Sequence, residues 1–461
     1  MGLKRMWERL RTGWHASASL ASDFVSATPG EATSSPSIPI PATRTVSTTK
    51  QTTRIIMAAV IGNGLIMYDF TVYSFSAVII GKLFFPSSSA LASLLMALAT
   101  FGAGFVMRPL GAMLIGNLAD RKGRKAGLIF SIALMTLGTG IIACTPSYAS
   151  IGVMAPLLMV FARLLQGLAA GGEIGPASAM VMELSGKTQR CYLVSWRGAS
   201  QGVSALAGAS VGAASTAALT PAAMQAWGWR IPFILGMSVG LVGWYLRRHM
   251  VAAPTEARPR SSLKSVFAQY PRTLWFGMLS MAAPTASIYI MVFYMPTYLV
   301  RTLHLSPTIS LLSACLAGMV IFVGNPMLAR VADRQRRRKP IQYLTLASSI
   351  VLVYPAFIAL THIPGTLVSL IVIGGYAAVA LSNGGASTVM MLEAFPRHHR
   401  AAGMSIMYGF GTTIFGGFSP FIVTWLIGVT GNPLAPAWYL LAALCISLFA
   451  VNRFPDTVDD H

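Results

Sequence analysis

The sequence predicts an all-α membrane protein with twelve transmembrane helices in two pseudo-symmetric six-helix bundles. Of its 461 residues, 54% are hydrophobic and only 10% are charged, whereas an ordinary soluble domain has about 25% charged residues. Apolar stretches of about 20 residues, the length that crosses a bilayer, recur along the chain. Sequence motifs also repeat between its two halves. These observations exclude a soluble globular protein.

Twelve stretches have the length and composition of spanning helices. In chain order they are residues 55–80, 90–118, 126–144, 152–183, 191–218, 229–247, 273–300, 308–330, 341–361, 365–393, 401–429 and 435–453. The 43 Gly residues are spread through them, as close contact between helices in lipid requires. The stretches form two predicted bundles, residues 51–248 and 272–454.

The segments outside the two bundles are polar. Residues 1–50, rich in Ser, Thr, Pro and Ala, are expected to form a disordered, basic N-terminus. Residues 249–271 form a basic central loop, and residues 455–461 form a short tail. The four Cys residues lie far apart without the spacing of metal ligands, so no metal site is expected.

The orientation in the membrane follows from the 34 Lys and Arg residues. Most of them lie in the N-terminus, in the loops after helices 2, 4, 6, 8 and 10, and at the C-terminus. The opposite side contains only Lys82, Arg230 and Arg301. By the positive-inside rule, both termini are cytoplasmic. Because the basic residues are dispersed between apolar stretches, the net charge of +21 reflects topology and excludes a nucleic-acid partner.

Two motifs recur at one offset along the chain, about 210 residues. The basic segment Asp120–Lys125 follows helix 2, and the similar segment Asp333–Arg338 follows helix 8. A Glu with an Arg seven residues later occurs after helix 4 as Glu183–Arg190 and after helix 10 as Glu393–Arg400. Such a repeat predicts a duplicated six-helix unit, the architecture of alternating-access carriers with a substrate site between the halves.

The segment Gly116–Lys125 resembles the signature of the loop between helices 2 and 3 in the major facilitator superfamily. Further segments narrow the resemblance: Tyr68-Asp69-Phe70-x-x-Tyr73, Phe84-Phe85-Pro86, Arg108-Pro109-x-Gly111, Arg163-x-x-Gln166-Gly167, Gly171-Gly172-Glu173 and Trp227–Phe233. Together they resemble the bacterial metabolite:proton symporter family, which includes permeases for citrate, 2-oxoglutarate, shikimate and proline/betaine. The resemblance covers residues 52 to 453, and segments of the second half resemble the citrate and tricarboxylate branch most.

Three positions depart from the family pattern. Ile66 stands where a Glu is usual in helix 1, Arg197 replaces a common Gln early in helix 5, and Arg336 replaces a Gly in the second basic segment. The first two departures together make the membrane interior more positive by two formal charges.

Charged residues inside the membrane are candidates for function because a charge in hydrocarbon costs several kcal/mol. Asp69, with Tyr73 one turn further, is either a proton carrier and substrate contact or a structural carboxylate. Arg163, near the midplane, offers a planar fork to a substrate carboxylate or pairs with Asp69. Arg197 is placed to reach Glu173, as a structural or a switchable ion pair. A proton would be carried by Asp69 or Glu173.

The remaining candidates divide into two groups. Hydroxyl and amide groups of the second half, Tyr294, Asn383 and Tyr408, are candidates for contact with the uncharged part of a substrate. The resemblance implies a gating network near the cytoplasmic face, formed by Arg108, Asp120, Arg121, Arg124, Glu183, Arg190, Asp333, Glu393 and Arg400.

The predicted function is proton-coupled import of a small organic anion, a di- or tricarboxylate such as citrate, by alternating access. No cofactor is expected, since the proton gradient supplies the energy. Neither a nucleophile–base pair nor metal-ligand spacing indicates an enzyme. The expected setting is a bacterial inner membrane, with the protein acting as a monomer. The alternatives are a carrier of a zwitterion (proline or betaine) or of a shikimate-like acid, and a transport-inactive membrane sensor.

Overall fold

The computed structural model describes residues 49–186, 188–248, 263–363 and 365–455, and every regular element in these ranges is helical. The predicted all-α class is therefore confirmed. The expected disordered N-terminus, most of the central loop and the tail after residue 455 lie outside the described residues.

The first half contains six long helices, two of them in two segments. They are α1 (Thr49–Phe84), α2 (Ala90–Val106 and Arg108–Lys122), α3 (Arg124–Cys144), α4 (Met154–Gly171 and Ile174–Leu184), α5 (Arg190–Ala218) and α6 (Ile231–Arg248). Short helices at Tyr148–Ile151, Pro221–Ala226 and Gly228–Arg230 join them.

The second half repeats this pattern after the short helix Leu263–Gln269. Its helices are α7 (Pro271–Ser280, Ala282–Ile288, the π-helical segment Tyr289–Tyr294, and Met295–Arg301), α8 (Pro307–Asp333), α9 (Lys339–His362), α10 (Thr366–Ala380 and Gly384–Glu393), α11 (Arg400–Thr412, the π-helical segment Thr413–Gly417, and Ser419–Thr430) and α12 (Ala435–Arg453).

Ten of the described helices are long and apolar enough to cross a membrane; α5 and α6 complete the predicted twelve. The 29 residues of α5 span about 44 Å, so its length suffices. Its composition is less apolar because α5 packs against α8 and α1 inside the bundle. A helix covered by other helices does not need lipid-facing apolar side chains.

Helices α5 and α8 join the two halves, and they pack so closely that their backbones are in contact. A Cβ atom added at Gly318 would lie 2.6 Å from the carbonyl oxygen of Gly202, and one added at Gly202 would collide with the carbonyl oxygen of Gly318. Only glycine fits at both positions. Small residues at such crossings let membrane helices approach closely.

Several helices are interrupted, and each interruption lies beside a polar residue. Arg108 begins the second segment of α2, just before Pro109, which cannot donate a backbone hydrogen bond. Glu173 and Asn383 separate the segments of α4 and α10, and Tyr289 begins the π-helical segment of α7. Irregular backbone at membrane depth is tolerated where protein or a cavity surrounds it. The interruptions of the helices therefore indicate the polar interior of the protein.

Candidate transport site between the two halves

A cavity of about 100 Å³ lies between the halves, and both halves line it. From the first half, α5 contributes Arg197 and Gln201. The second half contributes most of the wall, including Tyr289, Gln342, Asn383, Thr388 and Tyr408. Of the predicted substrate contacts, Arg197, Asn383 and Tyr408 are thus brought together.

Arg197 is the cation of this cavity. Its Nη2 donates to Thr388 Oγ1 at 3.2 Å, and its Cζ lies 5.3 Å from the ring centre of Tyr408. Its Nε and Nη1 are buried and have no hydrogen-bond partner within the described chain. Buried donors are rarely left in this state. Neighbouring N–H groups of a guanidinium match the two oxygens of a carboxylate, so Arg197 can bind one in a bidentate manner.

The expected ion pair between Glu173 and Arg197 is wrong. The guanidinium of Arg197 contacts Thr388 on α10 and the ring of Tyr408 on α11, and it forms no ion pair with Glu173 among the described residues. Glu173 is buried between the two segments of α4 and has contacts of its own.

Asp69 lies in a hydrogen-bonded chain within the first half. Thr139 Oγ1 donates to Asp69 Oδ2 at 2.7 Å, and Gln166 Nε2 donates to Thr139 Oγ1 at 2.9 Å. Arg163 Nη1 donates to Gln166 Oε1 at 2.8 Å. The direct pair of Asp69 and Arg163 that the sequence suggested is therefore replaced by a connection through two neutral side chains. Thr139 was missed by sequence reasoning, because one hydroxyl in an apolar helix does not indicate which neighbour it faces.

Arg163 and Tyr73 belong to the same buried cluster. The Cζ of Arg163 lies 3.6 Å from the ring centre of Tyr73, and its Nε and Nη2 have no hydrogen-bond partner in the described part of the protein. Asp69, Tyr73 and Arg163 do not line the central cavity. Their predicted contact with substrate is therefore corrected for this conformation: packing within the first half separates them from the cavity.

Arg108 does not lie near the cytoplasmic face, as the sequence analysis expected. It is fully buried, about 21 Å from the end of the second segment of α2. Its Nη1 donates to Thr412 Oγ1 at 3.3 Å and its Nη2 to the Tyr289 hydroxyl at 3.5 Å. Its Cζ lies 3.8 Å from the ring centre of Phe105. Arg108 thus connects α2 to the second half in the interior.

Tyr294 is also displaced from its predicted role. It is buried beside Tyr298, with ring centres 6.4 Å apart, and does not line the cavity. Tyr289, at the other end of the same π-helical segment, lines the cavity instead. Tyr294 packs against Tyr298 instead.

Several predicted gating residues meet where the cytoplasmic ends of the halves are predicted. Arg190 Nη1 lies 3.3 Å from Glu393 Oε1, and Arg338 Nε lies 3.8 Å from Glu393 Oε2. The carboxylate of Asp333 accepts the backbone N–H groups of Cys191 and Tyr192, both at 2.8 Å. These N–H groups open α5, where the helix dipole favours an anion.

The matching residues of the first half are only partly described. Asp120 and Arg124 stand at the end of α2 and the start of α3, but their side chains lie outside the described residues. Arg121 and Glu183 are exposed near the ends of their helices. Arg400 is buried, and its Nε donates to the carbonyl oxygen of Phe395 at 3.1 Å.

The sequence pattern of the Major Facilitator Superfamily matches residues 54–420. The chain belongs to this superfamily. The citrate-proton symporter of Klebsiella pneumoniae is 36% identical over 396 residues, 85% of this chain and 89% of that protein. The proline/betaine transporter of Escherichia coli (strain K12) is 30% identical over 430 residues, 88% of this chain and 84% of that protein. The resemblance to metabolite:proton symporters is thereby confirmed.

The solved structures agree on the fold. A partially occluded, inward-open conformation of the xylose transporter XylE from E. coli superposes with a TM-score of 0.73 at 16% identity, covering 90% of this chain and all of that one. This superfamily member is therefore a multi-pass membrane transporter and not an enzyme.

Contacts between the halves occur at both ends of the transporter. The end with Arg190 and Glu393 is described above. Towards the opposite end, Ser74 Oγ on α1 donates to the carbonyl oxygen of Phe293 on α7 at 3.1 Å. A central cavity with separable contacts at each end is what alternating access requires.

Proposed function

We propose that the protein is a proton-coupled carrier that imports a small organic anion, a di- or tricarboxylate such as citrate, by alternating access. One observation carries this proposal: Arg197 lines the central cavity, and two of its buried N–H groups have no partner among the described residues. Because an unpaired buried cation is unfavourable, an anionic ligand stabilises the site. The similarity to a citrate-proton symporter supports the same class of substrate.

The opposite wall of the cavity suits the rest of a hydroxy acid. Asn383 Nδ2 donates to Thr345 Oγ1 at 3.0 Å, while its Oδ1 is buried and accepts no hydrogen bond from the described side chains. Gln342 Nε2, a hydrogen-bond donor, is also buried and has no partner among the described residues. The acceptor Asn383 Oδ1 fits a hydroxyl group of the substrate, and the donor Gln342 Nε2 fits a second carboxylate of the substrate.

Asp69 is the proposed proton carrier, with Glu173 as the second candidate. Asp69 Oδ1 has no hydrogen-bond partner among the described residues, so it can hold a proton without losing an existing contact. The chain through Thr139 and Gln166 links Asp69 to Arg163. No cofactor takes part in this proposal, because the proton gradient drives uptake. The proposed setting is a bacterial inner membrane with both termini cytoplasmic.

A zwitterion such as betaine is the second candidate. The Tyr408 ring could face a quaternary ammonium group, and a proline/betaine transporter is among the relatives. However, Arg197 already lies near this ring and would repel such a cation. The electrostatics of the cavity therefore favour the anion.

Uptake into proteoliposomes tests these proposals. We expect an inward proton gradient to stimulate uptake of labelled citrate, and excess unlabelled tricarboxylate to compete while betaine does not. Arg197→Gln should lower uptake at least tenfold, whereas Arg301→Gln, at the end of α7 outside the cavity, should not. Uptake of betaine alone would replace the anion proposal with the zwitterion. Citrate binding without exchange across the vesicle membrane would indicate a sensor.

A further inference from the structure

We propose that Arg108, which contacts the cavity-lining Tyr289 but does not itself line the cavity in this conformation, joins Arg197 in binding a transported species with two carboxylate groups and determines the preference for the second. This inference rests on the proposed function, since it specifies the charge of the anion. Arg108 is thereby assigned a role in substrate selection.

Tyr289 contacts Arg108 and shares the cavity with Arg197. Arg108 Nη2 reaches its hydroxyl at 3.5 Å, and Arg197 lines the same cavity as Tyr289. Tyr289 is held in place closely: a Cβ atom added at Gly416 would lie 2.8 Å from its ring. A rigid, neutral phenol can orient the guanidinium group of Arg108 but cannot neutralise its charge.

The charges of these arginines are not compensated by nearby acids. No carboxylate oxygen of the described side chains lies within 4.0 Å of Arg108 or Arg197. The buried carboxylate of Asp69 is engaged with Thr139 in the cluster of Arg163. Two unpaired cations in a desolvated interior repel each other and are costly. A ligand with two negative groups removes both costs, whereas a monoanion leaves one cation unpaired.

Arg108 can exchange its present contacts for a carboxylate at low cost. Its two hydrogen bonds, at 3.3 and 3.5 Å, are long for N–H···O bonds, and its Nε has no partner in the described chain. The face of the guanidinium lies against Phe105, which leaves the N–H groups at its edge available. Its two acceptors, Thr412 and Tyr289, adjoin or begin π-helical segments, which often mark sites that move.

The test compares two inhibitors of labelled citrate uptake that differ in one charge: glutarate, a dianion, and its monoamide, glutaramate. The wild-type protein should be inhibited by glutarate at least thirtyfold more strongly. In Arg108→Gln the ratio of inhibition by glutarate to inhibition by glutaramate should fall at least tenfold, because only the inhibition by glutarate becomes weaker. Arg197→Gln should weaken both inhibitors. Arg108→Lys should restore part of the ratio, which a purely structural role of Arg108 would not produce.

The outcomes separate this inference from the proposed function. An unchanged glutarate-to-glutaramate ratio in Arg108→Gln, with citrate uptake intact or reduced, overturns the two-arginine site alone. Absence of citrate uptake in the wild-type protein overturns the proposed function. If Arg108→Gln fails to fold, the variant Thr412→Val tests the inference instead. Because this variant removes an acceptor that competes for Arg108, inhibition by glutarate should become stronger while inhibition by glutaramate stays unchanged. Equal effects on both inhibitors would contradict the inference.

Discussion

At the scale of single residues, the Asp69 cluster is the proposed site of proton binding and release. Ionised Asp69 leaves Oδ1 unsatisfied in the bundle, whereas neutral Asp69 leaves Arg163 without a nearby negative charge. Each protonation state therefore leaves one buried group without compensation among the described residues, which is why Asp69 is the proposed proton carrier. Thr139 connects the two charged groups, since it contacts both Asp69 and Gln166.

The substitution Thr139→Val tests this connection. It keeps the volume of the side chain and removes both hydrogen bonds, so gradient-driven citrate uptake should fall about tenfold, as loss of hydrogen bonds to a charged group predicts. Exchange of citrate without a gradient should be affected much less. Thr136→Val is the matched control, because the hydroxyl of Thr136 is buried on the same helix without a partner in the described region. Equal loss in both variants would remove Thr139 from the coupling.

The sequence alone predicted some of these residues and misplaced others for physical reasons. Arg197, an Arg in an otherwise small and polar helix, was recognised as a site residue because a buried charge needs a function. Arg108 was assigned to the wrong depth, because the predicted helix 2 ended at residue 118, whereas the second segment of α2 continues to Lys122 and so places Arg108 further from its end. Thr139 and Tyr289 could not be chosen, since the rotation of each helix depends on packing between distant segments.

At the scale of helices, the twelve-helix pattern was predictable because hydropathy and loop charge follow from the bilayer. The interruptions within these helices were less predictable from the sequence. The π-helical segments of α7 and α11 depend on packing such as that of Tyr289 against Gly416. Their sequences, which contain ordinary apolar residues, give no local signal of the extra residue per turn.

Helix α3 ends at a contact that can be tested separately. Arg230 Nε and Nη2 donate to the carbonyl oxygens of Ala143 and Thr145, at 2.9 and 3.1 Å, where the end of a helix leaves carbonyl groups unpaired. We expect Arg230→Gln to lower the free energy of unfolding by about 1–3 kcal/mol. Thermal unfolding in detergent measures this, with Arg301→Gln as the control. Citrate uptake per folded molecule should remain unchanged, and a selective loss of uptake would contradict a structural role.

At the scale of the whole molecule, the contacts between the halves decide which side of the membrane the cavity faces. The family resemblance implied that Arg190, Asp333 and Glu393 belong to one network at the cytoplasmic face, and the structure brings them together across the halves. Asp333 holds the first residues of α5, and Glu393 holds Arg190, the residue at which α5 begins. Breaking these contacts should favour the conformation that is open at this end, while leaving the cavity itself unchanged.

Cys191 provides a reporter of this opening within the native sequence. It is fully buried beside Arg190, and its backbone N–H donates to Asp333. In a background with Cys144, Cys315 and Cys445 replaced by Ala, we expect Glu393→Gln to accelerate labelling of Cys191 by a membrane-impermeant maleimide about tenfold. Loss of a charge-assisted hydrogen bond shifts a two-state equilibrium by about this factor. Labelling should occur from the cytoplasmic side, which also tests the orientation that the basic loops predict.

The control and the substrate dependence make this measurement decisive. Arg301→Gln, at the opposite end of the molecule, should leave the labelling rate of Cys191 unchanged. Saturating citrate should lower the rate in the Glu393→Gln variant, because a ligand bound between the halves favours the closed contact that buries Cys191. If Glu393→Gln leaves Cys191 as protected as before, the contact between Arg190 and Glu393 does not hold this end closed. Closure would then depend on the packing of α5 against α8 at Gly202 and Gly318.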